Sequence, residues 1–207
     1  MEGTDPVNKK LAAALSGGAV LVLALSGCSD DSSSDNKVND WAKKVCDQVK
    51  PQLQKIANAN AAIQQQTADN SKPADVQETD SAAFQQISQA YKALGAAVES
   101  AGAPPVDGGE ATQKEAVKEL NASSVAYANL QKKVDELNTK DQAKFADGLK
   151  GIADELNKIS TNGDEALRKL QSGEVGTAMA KQPGCQKPKA SVAPTAPAPS
   201  ASPSKKS

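Results

Sequence analysis

Four long segments of the chain carry apolar residues three or four positions apart, and this spacing constrains the fold more than any other feature. It places the apolar side chains on one face of an α-helix, whereas a strand would alternate apolar and polar residues. The positions are Val38, Trp41, Val45, Val49, Leu53, Ile56 and Ile63; Phe84, Ile87, Tyr91, Leu94 and Val98; Val117, Leu120, Tyr127, Leu130, Val134 and Leu137; and Phe145, Leu149, Ile152, Leu156 and Ile159. Four such helices predict an all-α fold, an up-down-up-down four-helix bundle.

Capping and turn residues separate the four segments. Prolines at 104 and 105 end the second segment, and Asp107 is a predicted N-cap for the third helix. Thr139 and Gln142 have the spacing of a capping box for the fourth helix. Only a residue or two would then separate helices three and four, which predicts an antiparallel hairpin. Residues 164–170 begin with two acidic residues and have two basic residues near their end. This order of charges is favourable in a helix and predicts a short fifth helix.

The residue types that are scarce or absent exclude several kinds of site. The chain has no histidine, which removes histidine-based catalytic triads and imidazole zinc sites. It has five aromatic residues, so the core must be aliphatic and alanine-rich. The net charge is −1, which provides no summed basic field to attract nucleic acid, and we expect no nucleic-acid partner.

The N-terminal segment has the organisation of a secretory signal. Lys9 and Lys10 precede an apolar stretch over residues 11–25. As a helix this stretch would measure about 22 Å, which is short of the roughly 30 Å hydrocarbon core of a bilayer. The pattern therefore favours a cleaved signal peptide over a permanent transmembrane helix.

The next four residues, Leu25-Ser26-Gly27-Cys28, resemble the lipobox of bacterial lipoproteins, and the alanine- and proline-rich C-terminus is similar to that of small secreted lipoproteins of actinobacteria. The resemblance implies diacylglyceryl transfer to the Cys28 thiol and cleavage of the Gly27–Cys28 bond. Cys28 would then be the mature N-terminus, and its lipid would anchor the protein to the extracytoplasmic face of the cell membrane. Two or more acyl chains make such an anchor stable without a second membrane signal.

These features divide the chain into four parts. Residues 1–27 are the predicted signal peptide, and residues 28–36, which are polar and acidic, are a predicted flexible tether. Residues 37–187 form the predicted helical-bundle domain. Residues 188–207 are rich in proline, alanine and serine and are expected to be a disordered tail, acting either as a stalk or only to increase solubility.

Two cysteines, Cys46 and Cys185, remain once Cys28 is lipidated. Export to an oxidising space makes a disulfide between them the default expectation. The alternatives, a reactive thiol or a thiolate metal ligand, lack a neighbouring base, a Cys-x-x-Cys spacing and any histidine. Helices in antiparallel order would return the chain to its starting end, where the two cysteines could meet.

The sequence contains only weak candidates for catalytic or metal-binding residues. The adjacent acids Asp135-Glu136, Asp154-Glu155 and Asp164-Glu165 point about 100° apart on a helix and so do not share a site. Asp30, Asp31 and Asp35 lack the spacing of an EF-hand loop. No nucleophile motif or phosphate-binding glycine loop occurs. We therefore expect a protein that is not an enzyme and needs no metal or cofactor.

Two classes of function remain for the tethered domain, and the sequence favours the first. The first is a non-enzymatic bundle that binds or spaces an unknown partner at the cell envelope through its surface. The second is a carrier that holds a small ligand between its helices. An internal cavity distinguishes the two, because a bundle packed solid leaves only its surface for function.

Overall fold

A computed structural model of the chain describes residues 30–66, 71–162 and 165–186. These residues form six α-helices and one 3-10 turn, and they contain no strand, which confirms the predicted all-α fold. The elements are α1 (Asp30–Gln66), α2 (Pro73–Ala101), α3 (Gly109–Asp135), α4 (Gln142–Asn162), α5 (Glu165–Leu170), α6 (Gly173–Ala180) and the 3-10 turn Pro183–Cys185.

Helices α1, α2 and α3 run in alternating directions. Trp41, near the start of α1, donates a hydrogen bond from Nε1 to the carbonyl oxygen of Gly102 at the end of α2, 2.8 Å away. Gln77, near the start of α2, donates to the carbonyl oxygen of Val134 near the end of α3, also at 2.8 Å. Lys133 near the end of α3 forms an ion pair with Glu155 of α4. Helix α4 therefore packs against the C-terminal half of α3, which lies at the end of the bundle away from Trp41.

The core is divided into two clusters along the bundle. One cluster joins the end of α1 around Ala59 to Phe84 and Ile87 of α2, Leu130 of α3 and Ile152 of α4. The other joins the beginning of α1 to the end of α2, the beginning of α3, and α5 and α6. The fourth position of the bundle is thus shared, with α4 at one end and α5 with α6 at the other. The predicted fourth helix is confirmed as α4, and it occupies only one end of this position.

The predicted helix boundaries need three corrections. Helix α1 begins at Asp30, so residues 30–36 of the predicted tether are helical. Acidic residues are favourable at a helix N-terminus, which offsets their lack of apolar side chains. Asp107 is not the N-cap of α3, because Gly108 takes that position with a φ of 71°. The box of Thr139 and Gln142 does not cap α4, because Asp141 Oδ1 accepts the backbone N–H of Lys144 instead.

The linker between α3 and α4 spans residues 136–141 and is longer than predicted. Gln77 of α2 accounts for this difference, because its side-chain amide also donates to the carbonyl oxygens of Asp135 and Leu137. The carbonyl of Asp135 lies at the end of α3, where the helix itself supplies no donors, and the carbonyl of Leu137 lies in the linker. A side chain from a neighbouring helix therefore caps α3 and lets the chain leave it in an irregular segment.

Several predictions lie outside the described residues or concern elements that the pattern did not indicate. The predicted signal peptide, Cys28 and the tail 188–207 lie outside the described residues. The short fifth helix is confirmed as α5. Helix α6 and the 3-10 turn were not predicted, and they carry the chain from α5 back to α1.

Candidate functional site

The disulfide closes one end of the bundle. Cys46 on α1 is fully buried, and it is joined to Cys185 of the 3-10 turn with their Cα atoms 4.9 Å apart. Gly184 makes this approach possible, since a Cβ atom at this position would lie 2.3 Å from the carbonyl oxygen of Cys46. The predicted pair of cysteines therefore meets, and the turn packs backbone against backbone on α1.

An apolar cavity of about 400 Å³ lies next to the disulfide, between the helices. One face of α1 forms its longest wall, with Val45, Val49, Leu53 and Ile56. Pro51 lies on the exposed side of this stretch and has no N–H, so α1 lacks one backbone hydrogen bond at the level of the cavity.

The other walls come from α2, α3 and the C-terminal helices. Tyr91, Leu94 and Val98 of α2 face the cavity, as does Leu120 of α3. Leu170, Met179 and Ala180 close the side that a full-length fourth helix would have occupied. Gln171, between α5 and α6, and Ala180, at the end of α6, are both exposed, so the cavity meets solvent along α6. The cavity therefore occupies the space beyond the end of α4.

The chemistry of the cavity is that of a site for an apolar molecule. Among the described residues that line it, none is charged, and only Tyr91 and Gln171 have polar side-chain groups. Small-molecule sites in proteins usually have volumes of about 300–1,000 Å³ and mainly apolar walls with few polar groups. The cavity meets both criteria.

Three aromatic residues form a cluster that adjoins the cavity through Tyr91. The rings of Tyr91 and Tyr127 stack with centroids 5.4 Å apart, and Phe84 lies 6.1 Å from Tyr127. Burial, and the proximity of Tyr91, raise the pKa of Tyr127 to about 12. Tyr127 therefore stays neutral near pH 7, and the stack places its ring beside Tyr91, which packs against both core clusters.

The candidate acids of the sequence do not come together. Asp135, Glu136 and Asp154 are exposed, and Glu155 pairs with Lys133. The side chains of Asp164 and Glu165 lie outside the described residues. No group of three or more histidine, cysteine, aspartate or glutamate residues in the described part of the chain is arranged to hold a metal ion. In the same part, no helix has the length and apolar character needed to cross a membrane.

Asp80 is a buried carboxyl group that the sequence pattern did not single out. Its residue is 6% exposed, and its Oδ1 has no hydrogen-bond partner. Burial raises the pKa of Asp80 from 3.8 to about 6. The folded protein therefore binds a proton on Asp80 more tightly than the unfolded chain does, so its stability falls as the pH rises from about 4 to above 6.

We expect Asp80→Asn to increase the free energy of unfolding at pH 8 by about 1–2 kcal/mol, because the amide resembles the protonated acid and carries no buried charge. At pH 4 wild-type Asp80 is protonated, so the variant and the wild type should differ little. Urea unfolding at both pH values measures the difference. An equal effect at pH 4 and pH 8 would show that packing, and not charge, decides the stability at this position.

Comparison with known proteins does not assign a family to this chain. The sequence matches no protein-family model, and searches of curated proteins and of solved structures found no similar chain. The residues of the site therefore carry the functional argument.

Proposed function

We propose that the protein is a non-enzymatic lipoprotein that is anchored through Cys28 and holds a small apolar ligand between its helices at the cell envelope. The cavity carries this proposal. None of the described residues in its lining is charged, and it adjoins solvent at one edge, which favours the carrier over a bundle that works only through its surface. By proportion with benzene in a cavity of about 150 Å³, a volume of about 400 Å³ accommodates roughly 16 non-hydrogen atoms.

The proposed location at the membrane surface rests on the sequence of the first 28 residues. The lysines, the apolar stretch and Leu25-Ser26-Gly27-Cys28 support export and lipidation. The disulfide in the domain is consistent with an oxidising compartment. A ligand-binding domain tethered to the membrane surface would stay close to the apolar molecules that a membrane supplies or receives.

We expect Cys28→Ala, expressed in a bacterium that processes lipoproteins, to abolish both lipid labelling and partitioning into detergent, since no other thiol lies in the lipobox. Metabolic labelling with a fatty-acid analogue and detergent phase separation measure the two effects. The matched control is Cys46→Ala with Cys185→Ala, which removes two cysteines but should leave labelling intact. Membrane retention of the Cys28→Ala protein at the wild-type level would contradict the proposed anchor.

We expect Val49→Phe to weaken binding of a neutral, straight-chain fluorescent probe, a fatty alcohol with a conjugated polyene chain, by at least tenfold. The added ring would occupy volume in the wall of the cavity. Fluorescence titration of the full mature chain carrying Cys28→Ala measures the affinity. Val125→Phe is the matched control, because Val125 is 61% exposed on α3 and does not line the cavity. Equal binding by both variants would place the probe elsewhere.

A further inference from the structure

The residues of α1 that line the cavity extend along about three turns of the helix. Val45, Val49, Leu53 and Ile56 lie on one face, with steps of four, four and three residues. At 1.5 Å per residue this wall is about 16 Å long. A volume of about 400 Å³ spread over that length corresponds to a mean cross-sectional area of about 25 Å², which is close to the cross-sectional area of one extended hydrocarbon chain.

The residues of the walls also favour a flexible aliphatic ligand over a ligand with a flat ring system. Tyr91 is the one aromatic side chain among the described residues of the lining, and one face of its ring is already occupied by Tyr127, since the two planes are inclined by only 12°. The remaining walls are mainly aliphatic, with the thioether of Met179 and the disulfide at one end. A second aromatic face to sandwich a flat ring system is missing from this lining.

A polar group on the ligand would lie at the edge of the cavity. Gln171 and Ala180 are the exposed residues there, and uncharged side chains surround the interior. An ionised group placed inside would lose its hydration without gaining a partner. The ligand is therefore amphiphilic or wholly apolar, with its chain inside and any head group in solvent near Gln171.

The lipid on the protein's own Cys28 is not suited to fill this cavity. Helix α1 is continuous from Asp30 to Val45, the first wall residue, and this stretch alone is about 22 Å long. An acyl chain attached before Asp30 would need most of its length to span that distance, and little of it would reach the cavity. The occupant should therefore be a separate molecule.

We propose that the cavity binds a single extended aliphatic chain, of the fatty-alcohol or fatty-acyl type, supplied by a separate amphiphilic molecule. This inference rests on the proposed function and specifies its ligand class. The chain contacts the wall of α1 from Val45 to Ile56, and the end of the ligand near Gln171 carries the head group. Affinity is then set by the length of the chain and by its ability to extend.

Calorimetric titration of the full mature chain carrying Cys28→Ala, with linear 1-alkanols and with cyclododecanol, tests this proposal. 1-Dodecanol and cyclododecanol each have twelve carbons and one hydroxyl, but only the first can extend. We expect 1-dodecanol to bind at least tenfold more tightly. From 1-octanol upward the affinity should rise about fourfold per methylene and level off when the cavity is filled, at about 16 carbons or fewer.

A variant at the far end of the wall gives an independent measurement. Ile56→Phe shortens the cavity, so the levelling should move to shorter alkanols, whereas Val125→Phe should leave the length dependence unchanged. Equal or tighter binding of cyclododecanol, or affinity independent of chain length, would overturn the single-chain proposal while leaving a cavity that binds apolar ligands. Failure of both alcohols and of the fluorescent probe to bind would overturn the proposed function itself.

Discussion

Removing the disulfide with Cys46→Ala and Cys185→Ala should lower the free energy of unfolding by up to about 5 kcal/mol. The bond closes a loop with a sequence separation of 139 residues, and in the chain-entropy model a closed loop of this length costs the unfolded chain that much. Domains of this size are stable by only about 5–15 kcal/mol, so the loss is a large fraction of the total. Urea unfolding monitored by circular dichroism measures it.

The loss of order should be local before it becomes global. The 3-10 turn and α6 have α1 as their main support, while α1, α2 and α3 keep both core clusters. Hydrogen exchange should therefore accelerate first in residues 173–185, with far-UV circular dichroism nearly unchanged. Reductant should destabilise the wild type and leave the variant without cysteines at 46 and 185 unaffected. A loss below about 1 kcal/mol would show that the loop is already restricted in the unfolded chain.

The long helices were predictable because their core positions repeat over several turns. Val38, Ile87, Leu130 and Phe145 are buried, each in a different predicted segment. Ser124, which fills an apolar position in the third segment, is also buried, and its carbonyl accepts a hydrogen bond from the hydroxyl of Ser88 at 2.8 Å. A single polar residue did not obscure a pattern of this length.

Helix α6 was not predictable by the same reasoning. It has eight residues, two of which are glycines, and glycine is a poor helix former. Val175 and Met179 are four residues apart and both buried, and this spacing is the one local indication of the helix. Its packing against α1 and the disulfide hold it in place. A short helix stabilised by tertiary contacts leaves little trace in a periodic pattern.

The cavity depends on which elements pack opposite α1, and the sequence pattern did not define them. The sequence pattern predicted the positions of Val45, Val49, Leu53 and Ile56 on one face of a helix but not what lies opposite them. In the structure α4 ends at Asn162, and α5 and α6 follow it, with Leu170 and Met179 lining the cavity together with the residues of α1. The site thus arises from how three C-terminal segments divide one position of the bundle, which is a property of tertiary packing.

The second large effect is expected at Trp41, the largest side chain of the core cluster that adjoins the cavity. Trp41→Ala should lower the free energy of unfolding by about 3–5 kcal/mol, since the variant loses the burial of the indole and leaves a void. The residue is 5% exposed, and its Nε1 also holds Gly102, where the φ of 81° turns the chain out of α2.

Trp41→Phe separates the two contributions. The phenyl ring retains much of the buried surface but donates no hydrogen bond, so the loss should be about 1 kcal/mol, as expected for one bond whose acceptor can reach water. Lys44 Nζ donates to the carbonyl oxygen of Ser100 at 2.8 Å and continues to hold the end of α2 in both variants. Urea unfolding of the three proteins measures the differences. If Trp41→Phe is as destabilised as Trp41→Ala, the hydrogen bond to Gly102 and the path of the chain into α3 carry the stability, and the buried surface of the indole does not.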